Sequence, residues 1–116
     1  MELMIRRFDA PDEEREMRLG EFQQVELGGM TLGRASYEPG WKWSKHVGRA
    51  LGQASCQIEH VGMVVSGRNR ITMDDGRVID VGPGDLFAVP PGHDSEVIGD
   101  EPYVSLHFLG ASAYAR

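Results

Sequence analysis

Two patterns of apolar and polar positions divide the chain near residue 21. Over residues 9–20 a capping aspartate, a proline in the first turn, early acidic residues, later arginines and a closing glycine predict a short surface helix without a wide apolar stripe. From Phe22 onward no helical period remains. Short alternating or β-branched runs occupy residues 22–27, 31–37, 41–47, 57–65, 70–73, 77–81, 86–89, 96–98 and 103–109. Between them stand turn formers such as Gly28-Gly29, Pro39-Gly40, Ser66-Gly67, Pro83-Gly84-Asp85 and Pro90-Pro91-Gly92. Asp75-Gly76, flanked by Ile71-Thr72-Met73 and Val78-Ile79-Asp80-Val81, is the clearest hairpin. About nine short strands with no helices between them predict an all-β antiparallel sandwich or barrel. Residues 47–55 read as a loop or a single helical turn. Residues 1–32 are expected to form an N-terminal arm and first strands packed on a barrel of residues 33–116, one domain overall.

Composition changes this picture in three ways. Glycine is in excess, 15 of 116 residues or about 13% against roughly 7% on average, as frequent turns require. Lys and Arg number 12 against 18 Asp and Glu, a formal charge of -6. That repels phosphates, so neither nucleic acid nor an anionic membrane is an expected partner. Cys56 is the single cysteine, which excludes an internal disulfide framework and suits a reducing compartment. With no long apolar run at the start or elsewhere, a cytoplasmic location is expected.

The string Gly84-Asp85-Leu86-Phe87-Ala88-Val89-Pro90-Pro91-Gly92-His93 resembles the second motif of the cupin superfamily, G-D-x(4)-P-x-G followed by His. Pro39-Gly40, then five residues and His46, matches the start of the first motif; His60, with Gly67 seven positions on, matches its end. The resemblance covers roughly residues 33–110. It implies a double-stranded β-helix, a jelly-roll barrel, with the N-terminal residues as a short helix or arm. It also implies a divalent metal on histidines and one carboxylate. This chain departs from that set. Gly48 stands in the second histidine place, roughly ten residues are inserted, and His60 occupies the place of the glutamate. An alternative register puts Cys56, four residues before His60, where the second histidine would fall. Ser95 stands at the usual ligand place of the second motif, with the imidazole at His93 instead. Pro39-Gly40-Trp41-x-Trp43-Ser44 together with Pro91-Gly92-His93-Asp94 is similar to small stand-alone bacterial cupins.

His46, His60 and His93 lie at strand ends or turns in three separate runs, as a barrel requires of residues that must meet. They are the expected metal ligands, with Cys56 as a further candidate. Imidazole suits borderline divalent ions, and a thiolate biases a site toward Zn. Glu59, adjacent to His60, should point to the opposite face of its strand and so cannot replace the missing carboxylate. Zn is therefore favoured, with Ni, Fe or Mn as alternatives. Each residue also has an ordinary structural role open to it. His60 could be a core histidine bonded to a carbonyl, His46 an edge residue, His93 a turn residue paired with Asp94 or Glu96, and Cys56 a small buried hydrophobe. His107, between Leu106 and Phe108, is expected to line the core or pocket.

In a strand over residues 41–47, Trp41 and Trp43 would share one face, opposite Ser44 and His46. Two outward tryptophans need cover, which predicts a homodimer through a sheet face or cover by the N-terminal segment. Alternatively a bulge switches the face, and Trp43 lines the pocket and stacks on a flat ligand. The expected function is a small metal-binding barrel that binds or acts on a small organic molecule. The competing reading is a non-catalytic sensing module. The sequence offers no acid-base pair that would choose a reaction or a substrate.

Overall fold

A computed structural model describes residues 1–114 of the chain. Nine strands are present among the described residues: β1 (Glu13–Met17), β2 (Gly20–Leu27), β3 (Met30–Tyr37), β4 (His60–Ser66), β5 (Arg68–Met73), β6 (Val78–Val81), β7 (Leu86–Val89), β8 (His93–Ile98) and β9 (Tyr103–Leu109). They form a six-stranded sheet in the order β1-β2-β3-β9-β4-β7 and a three-stranded sheet in the order β6-β5-β8. All strand pairs are antiparallel. The architecture is an all-β jelly roll. Among the described residues no helix is long and apolar enough to cross a membrane.

The expected helix over residues 9–20 is instead β1 and a turn. Glu13, Arg15 and Met17 are half-buried while Glu14 and Glu16 are exposed, a period of two that helix-forming residue types conceal. Arg15 decides it. Its guanidinium reaches Gln24 Oε1 and the Ala111 carbonyl, and lies 5.4 Å from the Phe22 ring centre. Those partners come from β2 and the far end of the chain. Leu19, at φ 63°, makes the turn into β2. Arg6, Arg7 and Arg34 pair with Asp12 and Asp9 and fasten the segment before β1.

The expected strand over residues 41–47 is also absent. Residues Ser44–Gly48 wind into a π-helical turn that runs into the short helix α1 (Arg49–Leu51). The Lys45 and His46 N–H groups both donate to the Lys42 carbonyl. Trp41 and Trp43 are 0% and 2% exposed within one chain, so they require no second subunit to cover them. Trp41 stacks on Tyr37 with ring centres 3.7 Å apart. Trp43 packs on Gly48, where a Cβ would strike its ring. Asp94 anchors the turn by accepting from Ser44 N–H (2.9 Å) and Ser44 Oγ–H (2.7 Å).

The core between the sheets contains Phe22, Ala35, Tyr37, Val64, Ile71, Val81 and Val97. Gly62 sets the approach of β4 to β9, since a Cβ there would collide with the Leu106 carbonyl oxygen and the Phe87 ring. Replacing Gly62 with Ala should destabilise the fold by ~1–3 kcal/mol, the usual cost of overpacking. A lowered midpoint in thermal unfolding checks this.

Candidate metal centre

The starts of β4 and β8 and the segment before β4 converge. Cys56 forms an isolated antiparallel bridge with His93: its N–H donates to the His93 carbonyl (2.6 Å), and Gly92 N–H donates to the Cys56 carbonyl (2.8 Å). Residues directly opposite in such a pairing present their side chains to the same face. His60 opens β4 opposite Val89. The Cys56 Sγ lies 3.5 Å from His60 Nε2. One ligand atom from each of Cys56, His60 and His93 falls within 4.8 Å of the others, and all three residues are buried.

Two further imidazole contacts shape this cluster. His93 Nδ1 lies 2.8 Å from the Pro90 carbonyl, the contact that orients a ligating histidine and leaves Nε2 with its lone pair. His107 stands beside His60, ring centres 5.2 Å apart, with its Nε2 3.1 Å from Ser105 Oγ. Tyr114, which follows the 3₁₀ turn Ala111–Ala113, closes over both histidines and hydrogen-bonds Tyr37 through its hydroxyl. A cavity of about 40 Å³ lies among these groups, with Ser95, Asn69 and His107 in its wall.

Burial sets the protonation states. It lowers His60 to about 3, aided by the neighbouring His107 and His93, and lowers His107 to about 4. His93 is lowered by burial against an opposing contribution from the Pro90 carbonyl. The Cys56 thiol is raised by burial. In the metal-free site the imidazoles are therefore neutral donors and the sulfur carries its proton.

His60, His93 and Cys56 meet; His46 does not join them. The π-helical turn holds His46 Nδ1 2.9 Å from the Lys42 backbone nitrogen, in a surface depression with Arg18, Lys45 and Arg49. The sequence treats residues 41–47 as extended, and the winding of that segment redirects the side chain. Trp43 is likewise in the core and not in the cavity wall. Glu59 is exposed. Asn69 and Tyr114 were not singled out from the sequence. For Asn69 the available signal was an amide at an inward position of the alternating run Arg68-Asn69-Arg70-Ile71; for Tyr114 no local signal exists.

No family model and no curated protein matches the chain. Solved structures do. A cupin-2 domain from Rhodospirillum rubrum shares 21% identity over 94% of this chain and 68% of its own, with a TM-score of 0.60. A protein of unknown function from Rhizobium leguminosarum matches at 20% identity over 92% of this chain and 95% of its own, TM-score 0.59. A DUF1255 protein from Acidithiobacillus ferrooxidans matches at 18% identity over 84% and 86%, TM-score 0.60. At these identities the likeness is one of fold, and the fold is that of a cupin barrel.

Proposed function

We propose that this chain is a metal-binding cupin whose ion is held by Cys56, His60 and His93, and that a small organic molecule binds beside it. The observation that carries the reading is the convergence of one thiol and two neutral imidazoles, all buried, from three places in the sequence. The donor set fits a soft or borderline ion, Zn before Ni, Fe or Mn, because it offers sulfur and nitrogen and no carboxylate. Three protein donors leave a fourth position free for a water or ligand atom, the pattern of sites at which chemistry or ligand exchange occurs. A bound ion would supply Lewis acidity there. The chain's own residues orient and shield: Pro90 fixes His93, Tyr114 and Phe87 wall off solvent, and Ser95 and Asn69 offer polar contacts.

Because the thiol is protonated before loading, Zn binding should release about one proton per chain between pH 6 and 8. Calorimetry in buffers of different ionisation enthalpy reads this. Binding without proton release would remove Cys56 from the set.

One observation favours sensing over catalysis. His107 is held neutral, and burial raises Tyr37, Tyr103 and Tyr114, so apart from a bound ion these cavity groups offer no acid poised near neutral pH. Turnover of a candidate ligand by the Zn-loaded protein would decide for the enzyme.

A homodimer through the outer face of the large sheet is part of this proposal. Val65, Leu86 and Phe108 are exposed on the outer face of the large sheet at 46%, 76% and 38%. Light scattering during size exclusion should give twice the chain mass; a monomer would end the idea.

A further inference from the structure

The two sheets leave an open seam beside β6 and β7. β6 pairs only with β5 and β7 only with β4, so an edge of each sheet is left without a ladder. A groove of about 400 Å³ lies there, lined mainly by Ile71, Met73, Ile79, Ala88 and Val89, with Arg77 contributing the single charge. Ile79 stands opposite Ile71 in the β5–β6 register and so shares its inward face, yet Ile79 is 61% exposed while Ile71 is 7% exposed. An inward isoleucine in contact with solvent marks the place where the interior is uncovered. Ile71 and Val89 line both this groove and the histidine cavity. They stand at the junction of the two spaces.

The inner space holds buried polar atoms without partners: His60 Nδ1, His107 Nδ1 and the amide oxygen of Asn69. Asn69 is 3% exposed and sits between Val81 and Val97 on the paired strands, and its Oδ1 is buried with no hydrogen-bond partner. A buried acceptor left unpaired bears its full desolvation penalty, and what it lacks is a donor. Among the described residues the cavity wall contains no lysine or arginine, so in the metal-free site a carboxylate head would be buried without a counter-charge. Its 40 Å³, at ~10–15 Å³ for a single water, admits a head of only a few atoms. The groove outside lies within the ~300–1,000 Å³ of small-molecule sites and is apolar like them. Arg77 holds Asp75 through its Nε (2.8 Å) at the solvent side.

We infer that the seam between β6 and β7 is a ligand subsite for an uncharged apolar molecule bearing one hydroxyl, such as a phenol. Its body fills the groove, and its hydroxyl passes Ile71 and Val89 to donate to Asn69 Oδ1. This rests on the reading of the barrel interior as a binding site and names the ligand class of that site, but it does not require the ion.

The test uses 4-ethylphenol and 4-ethylanisole, which share a body and differ in the donor, with the full chain both chelator-treated and Zn-loaded. Calorimetry or ligand-observed NMR should show saturable binding of the phenol, about tenfold tighter than the ether, one hydrogen bond's worth. Asn69→Leu should erase that preference. Ile79→Asp, at a position exposed enough to leave the fold intact, should weaken both compounds, with thermal unfolding confirming that each variant is folded. Equal affinity for phenol and ether, no saturable binding of either, or phenol binding unchanged by Ile79→Asp would each overturn the subsite. Phenol binding to a protein that takes up no metal would reject the metal reading alone; Zn uptake without phenol binding would reject the subsite alone.

Discussion

Replacing His60 with alanine should lower the affinity for Zn by at least about 100-fold. Structural Zn sites with four protein ligands bind with apparent free energies of ~10–16 kcal/mol, so one donor accounts for roughly 3 kcal/mol. His60 is the sharpest choice because its Nε2 faces the Cys56 sulfur at 3.5 Å and it is 3% exposed. Among the described residues no other ligand atom joins the cluster: Glu59 is exposed, and His107 stands beside His60 without belonging to it. Cys56→Ser and His93→Ala should act in the same direction, whereas His46→Ala should leave affinity unchanged because His46 lies outside the cluster. Elemental analysis of untagged protein should find near one ion per chain in the wild type, and a chelator competition should rank the variants. If no metal is retained at saturating Zn, Fe, Ni and Mn, the site is only a packed histidine cluster.

Metal-free protein should lose stability steeply in mild acid. His60 and His107 ordinarily titrate near 6.5 but are lowered by burial to about 3 and about 4. Between those values and 6.5 the unfolded chain binds protons that the folded chain refuses, so stability is fully present above about pH 6.5 and falls as pH drops toward 4. Each such histidine contributes a slope of about 1.4 kcal/mol per pH unit. For His107 alone the fall from 6.5 to about 4 amounts to about 3 kcal/mol, a large share of a small domain's stability. Denaturant unfolding at pH 7, 6, 5 and 4 measures it. His107→Phe should remove about 1.4 kcal/mol per pH unit from the slope and leave the contributions of His60 and His93, since the ring sits among Phe22, Phe87 and Tyr114 and would pack there without a proton to refuse. A stability independent of pH over that range would show that the buried imidazoles open to water before they titrate.

The two parts of the chain that the sequence misrepresents are instructive. Residues 13–17 contain Glu, Arg and Met, good helix formers, and the proline and glycine around them imitate helix ends. Their strand character comes from β2 and from the carbonyls of Ala111 and Ser112, nearly a hundred residues away. Residues 41–47 alternate like a strand, but Trp41 and Trp43 are both drawn into the core, which a strand placing them on one face allows only if that face is inward. The Lys42 carbonyl and Asp94 then fix the turn that carries His46 outward.

What the sequence by itself determined is the frame. Alternating runs and turn residues place β2 through β9, apart from the winding after Trp41, because strand period and turn chemistry are local properties. The Gly84–His93 string carries the fold class for the same reason. Only the tertiary structure decided which donors meet. His60 and Cys56 are four residues apart and His93 is distant, yet the bridge between Cys56 and His93 joins all three, while His46, equally plausible by spacing, is excluded. It alone decided that Asn69 is buried without a partner and that the seam beside β6 stands open. Convergence and solvent access depend on strand pairing across the whole chain, and no local pattern encodes them.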